Sequence, residues 1–204
     1  MCIRDRFKEF LYKIGAVKLI HRMFKTNDTA GFRIHKDDAD LMQVIYQIIS
    51  AYFEDDCADE LTNEPVMTAI LDKDALASQP ALSRFFNRMD TDTLSQLNQI
   101  TRELRKVIYS IKKPEFMLFD IDSTLLDAYG NQEGEGFNYH YQAHGYHPLL
   151  CYDRLTGDLL KAELRDGTMY CSKKADIFMK SLLRVTLEWF QGTYSPEIQQ
   201  LFRL

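Results

Sequence analysis

Two aspartates stand two positions apart in Phe119-Asp120-Ile121-Asp122-Ser123-Thr124, directly after the short apolar run of residues 116–119. The run has no helical period and predicts a buried strand. Successive strand side chains point to opposite faces, so Asp120 and Asp122 are expected on one side and Ile121 on the other. Two carboxylates at the end of a strand offer hard oxygen ligands suited to Mg2+. The plainer alternative is a turn in which Asp122 and Ser123 bond nearby backbone amides.

Three other groups of residues could do chemistry. His140, His144 and His147, with Cys151 beyond, have ligand types that zinc uses, but their spacing fits no firm zinc pattern. Aromatic strand residues with polar neighbours account for them better. Glu54-Asp55-Asp56 with Asp59-Glu60 has the charge of a Ca2+ loop but not its glycine or terminal Glu, and reads as a solvated helix boundary. Residues 66–88 predict a helix, a short turn and a second helix opened by Ser78-Gln79-Pro80, the outline of a helix-turn-helix. Leu82, Phe85, Phe86 and Met89 would face inward. Gln79, Ser83, Arg84, Asn87 and Arg88 would face out, where they suit base edges and phosphates. A helical hairpin with a polar face is the alternative.

The elements that must position these residues change character near residue 112. Before it, the periodicity predicts helices over 7–25, 37–53, 66–73, about 80–88 and 93–109. The helix over 37–53 has its acids in the first turn and a buried stripe of Leu41, Val44, Ile45, Ile48, Ile49 and Tyr52. The helix over 93–109 carries Leu94, Leu97, Ile100, Leu104 and Val107 on one side. Residues 26–31 read as a loop. Thr62-Asn63-Glu64-Pro65 is a helix-start signal. After residue 112 come the strand at 116–119, a loop with three glycines over 128–136, and a second strand through Phe137, Tyr139 and Tyr141. A hairpin of residues 147–152 and 159–164 turns at Arg154-Leu155-Thr156-Gly157. A helix is expected over 175–190. The fold class is therefore α+β: a helical region over 1–112, then strands and a helix over 113–204.

A net charge of −5 argues mildly against nucleic acid, yet its distribution matters more than its sum. Residues 37–64 hold nine acids and no Lys or Arg, residues 1–36 hold nine basic residues against three acids, and residues 84–113 hold seven against three. An acidic chain can thus still present basic surfaces to phosphates. No apolar run is long enough for a transmembrane helix and the start lacks a signal-peptide core, so a cytoplasmic protein with no membrane partner is expected. The four scattered cysteines, Cys2, Cys57, Cys151 and Cys171, read as free thiols.

Seven strings in order resemble the DDE transposases of bacterial insertion sequences, specifically the insertion-sequence family thirteen-eighty. They are residues 41–49, 56–61, 76–85, 119–124, Tyr129-Gly130-Asn131-Gln132-Glu133, Gly145-Tyr146-His147-Pro148-Leu149 and Leu164-Arg165-Asp166-Gly167-Thr168. The resemblance spans roughly residues 31–178. It implies that residues 113–204 open a ribonuclease-H-like catalytic domain, here its first three strands, and that Mg2+ ions drive phosphodiester cleavage and strand transfer during DNA transposition. It implies Asp122 as the first catalytic, metal-holding Asp, with Asp120 as the second candidate or a supporting carboxylate. Glu133 could support the metal site, though a solvent-exposed loop residue is the plainer reading. Its partner would be double-stranded DNA at the terminal inverted repeats, and the full-length enzyme could act as a homodimer.

The family also needs a second Asp, in a string like Arg-Gly-Asp-Ser-Gly-Phe, and a later Glu, and neither string occurs here. Residues 1–6 and 181–204 do not follow the family and read as foreign ends, the latter truncated or frameshifted. The expectation is an inactive N-terminal fragment, or a non-catalytic DNA-binding remnant. The string from Phe119 to Leu125 separately resembles the first motif of haloacid-dehalogenase-like phosphatases. There Asp120 would be the nucleophile and Asp122 the general acid/base. That reading lacks the later acidic motif it requires.

Overall fold

A computed structural model describes residues 3–28, 30, 32–54 and 56–189. Residues 1–2 and 190–204, which hold most of the ends expected to be foreign and the last residue of the helix expected over 175–190, lie outside the described residues. So do Thr29 and Gly31 of the expected loop and Asp55 of the acidic run. The chain divides into two compact units, residues 1–112 and 113–204.

The first unit is helical: α1 (Ile3–Lys13), α2 (Ala16–Met23), α3 (Asp37–Ile49), α4 (Cys57–Leu61), α5 (Pro65–Leu71), α6 (Gln79–Phe86) and α7 (Thr91–Ile111). The single helix expected over 7–25 is two helices. Gly15 sits between them at φ 74, a left-handed conformation that glycine adopts without a Cβ penalty. Leu11, Ala16, Tyr46, Leu61, Met67, Ile70 and Leu76 form one core cluster. Ile20, Phe24, Leu41, Phe85 and Ile100 form a second.

The buried stripe of α3 also differs from expectation. Leu41 is buried, but Ile48 and Ile49 are exposed, while Asp37, Asp40, Gln43, Tyr46 and Gln47 lie inside. Hydrophobicity alone could not show this, because Asp37, Asp40 and Gln43 are buried with partners contributed by other segments. The Asp37 carboxylate accepts from the Thr26 backbone N–H (2.9 Å) and hydroxyl (2.8 Å) and meets Arg33 at 2.5 Å and Arg88 at 3.2 Å. On α7, Ile100 is buried but Leu94 is largely exposed.

Local signals place the helix starts. The Glu64 carboxylate caps α5 by accepting from the Met67 N–H at 2.6 Å, with Pro65 in the first turn. Asp90 and Thr93 form a capping box at the start of α7.

The second unit holds β1 (Phe119–Ser123), β2 (Leu126–Asp127), β3 (Gly136–Asn138), β4 (Ala143–Tyr146), β5 (Leu149–Asp153), β6 (Leu159–Glu163) and α8 (Ala175–Trp189). One antiparallel sheet has the order β1-β5-β6, and a small one the order β2-β4-β3. The expected hairpin over 147–152 and 159–164 is β5–β6, with its turn closed by Gly157 N–H donating to the Asp153 carbonyl at 2.7 Å.

Two strand expectations are corrected. The strand placed at 116–119 lies instead at Phe119–Ser123, and Phe116 and Leu118 are exposed. The β5 partner begins pairing only at Phe119, opposite Asp153, so the ladder rather than the apolar run sets the boundary. The strand expected through Tyr141 stops at Asn138, whose side-chain oxygen accepts from the N–H groups of His140 and Tyr141 and turns the chain.

Backbone segments meet closely in the small sheet. A Cβ on Gly145 would lie 2.2 Å from the Leu126 carbonyl oxygen, and one on Gly167 would lie 1.9 Å from the Gly145 carbonyl oxygen. No side chain fits at either position.

Candidate functional site: a carboxylate pair on strand β1

Strand β1 has one buried face and one open face. Phe119, Ile121, Leu149, Cys151 and Leu160 pack with Ala175, Phe178, Met179 and Leu182 of α8. Asp120 and Asp122 therefore project away from that core, and both are exposed. Their cross-strand partners are Tyr152 and Leu150 of β5. Residues two apart on a strand are separated by roughly 7 Å, close enough for both carboxylates to reach one small cation. The Asp122 Oδ1 accepts from the Ser123 N–H at 2.8 Å, which limits how that carboxylate rotates. The local bond is the one a turn would make, but the strand continues through Ser123.

The opposite face carries no exposed chemistry. Burial, reinforced by the Asp120 and Asp153 charges, pushes the Cys151 thiol up to about 11, so it is inert at neutral pH. Lys161 tethers β6 to α8, donating to the Phe178 carbonyl at 3.2 Å and lying 4.1 Å from that ring's centre.

Two carboxylates on an open strand face fit a single hard cation whose remaining ligands are water and phosphate. Among the described residues no group of three or more His, Cys, Asp or Glu is placed to hold a metal ion. The pair does not by itself fit two ions. The three histidines near Cys151 form no joint site. His144 pairs with Glu135 at 3.1 Å, His140 stands edge-on to Tyr141, and His147 is fully buried.

The expected helix-turn-helix is less compact than its sequence suggested. Helices α5 and α6 are joined by residues 72–78, longer than the three or four residues such a turn uses. Met67 and Ile70 belong to one core cluster, Phe85 to another and Leu82 to a third, so the helices pack on neighbours rather than as a pair. Helix α6 is held from outside. The Gln43 amide bonds both backbone groups of Ala77, and Asp59 accepts from the Gln79 N–H at 2.8 Å.

On its surface Ser83, Arg84 and Asn87 are exposed and Gln79 is half-buried. Two placements are corrected. Phe86 is exposed, not inward. Arg88 does not face out: its guanidinium lies 3.2 Å from Asp37, 3.7 Å from Asp28 and 3.7 Å from Asp40. Those carboxylates already use its charge.

Sequence reasoning missed this cluster, and also the contacts of His147 and Arg165. Arg165 donates to the carbonyls of His147, Cys171 and Lys173, fastening the start of β5 to the segment before α8. No local pattern announces contacts between residues so far apart in the chain.

Antiparallel strands followed by a helix, with paired carboxylates on the first strand, define an α+β protein with a candidate cation-binding face. The family described as transposase DDE domain group 1 matches residues 6–195. The chain belongs to that family, whose work is DNA transposition and whose substrate is DNA. The match extends beyond the stretch that carries the sequence resemblance and includes residues 181–195, which are therefore not foreign to it. No curated protein and no solved structure matches the chain. The phosphatase alternative is dropped, because after its first strand that motif expects a helix, whereas β2 to β6 all precede α8. No helix among the described residues is long and apolar enough to cross a membrane.

Proposed function

We propose that β1 carries the first metal-holding carboxylate of a DDE active site, Asp122, with Asp120 beside it as a second ligand or a supporting charge. The observation that carries this reading is that both side chains share the exposed face of β1 while its other face is buried against α8. The antiparallel order β1-β5-β6 followed by α8 supports a ribonuclease-H-like opening, with residues 1–112 as the DNA-binding region. Asp122 and Asp120 would hold a divalent ion there, and such an ion would supply Lewis-acid chemistry toward a phosphodiester. The chain's own part is to place two oxygen ligands on a rigid strand, open to a DNA backbone.

The second Asp and the Glu of the set have no counterpart string in these 204 residues. We therefore expect this chain alone to bind DNA without cutting or joining it. The exposed face of α6, with Gln79, Ser83, Arg84 and Asn87, is the proposed contact with terminal inverted repeats. The insertion-sequence family thirteen-eighty, a bacterial cytoplasmic setting and a homodimer of the full-length enzyme belong to the same reading.

The test is a Mn2+ titration followed by electron paramagnetic resonance. The chain should bind one ion weakly, and Asp122→Asn should abolish the binding with the fold intact by circular dichroism. Equal binding by the variant would remove Asp122 from the site.

A further inference from the structure

We propose that Cys171 and His147 form a thiol–imidazole dyad that makes Cys171 the reactive thiol of this protein, with hydroperoxides as the class of co-substrate. The two residues are 24 positions apart and meet with the Cys171 Sγ 3.9 Å from the His147 Nε2. The other ring nitrogen, Nδ1, lies 2.6 Å from the Met169 carbonyl oxygen. A carbonyl can only accept, so Nδ1 carries the proton and Nε2 presents its lone pair to the thiol. The arrangement is nucleophile, base and orienting acceptor in sequence. The ring is fully buried and stands edge-on to Tyr141, with centroids 5.5 Å apart, so it cannot turn away. Cys171 itself is only half-buried.

A second group points to a ligand at the same place. Arg165 is 4% exposed. Its Nη1 bonds the Cys171 and Lys173 carbonyls at 3.2 and 2.9 Å and its Nε bonds the His147 carbonyl at 2.9 Å, but its Nη2 is buried with no hydrogen-bond partner among the described residues. The same guanidinium holds the Cys171 backbone through Nη1, so a buried N–H left open on it is a donor for an anionic group near that residue. In the reaction the Cys171 sulfur attacks the distal peroxide oxygen and the O–O bond breaks. The thiol proton passes through His147 Nε2 to the departing oxygen, which leaves as water or an alcohol. Sulfur is oxidised by two electrons to a sulfenic acid and the peroxide is reduced by two.

Cys57 is an internal control: it has the same intermediate exposure and, among the described residues, no hydrogen bond to a histidine. The experiment exposes the folded chain to iodoacetamide across pH 6 to 9, and separately to hydrogen peroxide with dimedone. Peptide mass spectrometry then follows Cys171 and Cys57 together. We expect Cys171 to react about tenfold faster than Cys57 near neutral pH, with dimedone on Cys171. His147→Gln should remove that advantage. Equal rates for the two thiols in the unmodified sequence would overturn the proposal without any variant. So would an unchanged Cys171 rate in a folded His147→Gln protein.

Discussion

The side-chain amide of Gln43 holds both backbone polar groups of Ala77: its Nε2 donates to the Ala77 carbonyl at 2.7 Å and its Oε1 accepts from the Ala77 N–H at 2.8 Å. Both residues are buried, so this exchange ties α3 to the segment that leads into α6. Replacing Gln43 by Leu would keep the volume and strand two buried backbone groups. We expect a loss of about 2–4 kcal/mol in urea unfolding. Gln43→Glu should cost less at low pH, where the acid can still donate. Equal stability of Gln43→Leu and the parent would show that water replaces the lost partners.

Asp40 lies at the heart of the first unit with its side chain 4% exposed. Burial raises its pKa to about 6 against the pull of Arg88, with the Asp37 charge adding to the rise. The folded value is above the unfolded one, 3.8, so the native state holds the extra proton between them. Asp40 therefore makes the fold most stable below about pH 4 and costs stability as pH rises through 6. Asp40→Asn should therefore raise stability at pH 7.5 by about 1–3 kcal/mol and change little at pH 4. Asp37 runs the other way. Burial would raise its pKa, but the Thr26 bonds, then Arg33 and Arg88, together lower it. Its contribution is present near neutrality and lost in acid. Melting curves of the two Asn variants against pH should have opposite slopes.

Arg84 is the exposed cation of α6. If this face meets DNA, Arg84→Ala should weaken gel-shift binding of specific and scrambled duplexes alike and lower the salt slope by about 1. Asn87→Ala should act mainly on the specific duplex. Arg88→Ala should lower the melting temperature instead, since it releases the carboxylates of Asp28, Asp37 and Asp40. Loss of DNA binding by Arg88→Ala in a protein of unchanged stability would contradict this assignment.

The Gly145 position tests the backbone contact in the small sheet. An Ala side chain there would press on the Leu126 carbonyl, a neighbour that cannot swing aside. Gly145→Ala should cost at least about 3 kcal/mol by thermal melting. Gly130→Ala, where a Cβ meets nothing but φ is 83, should cost only about 1 kcal/mol.

The longer helices, the β5–β6 hairpin and the shared face of the two aspartates were legible in the residues alone, while α1 and α2 read as one helix and α4, β2 and β4 left no signal. Period 3.6 marks α3, α5, α6 and α7, Glu64-Pro65 marks the start of α5, and period 2 puts Asp120 and Asp122 on one side of a strand. These are local facts of backbone geometry, carried by neighbouring residues. What lay inside was another matter. Apolar counting placed Ile48 and Ile49 in the core and Arg88 on the surface, yet α3 buries Asp37, Asp40 and Gln43 instead. A polar side chain goes inside only when a partner is there to meet it, and those partners are Thr26, Arg33, Ala77 and Arg88, brought from other segments by the fold. The meeting of His147, Cys171 and Arg165 has the same cause. Tertiary structure alone decided it, because long-range contacts leave no periodic trace in a single chain.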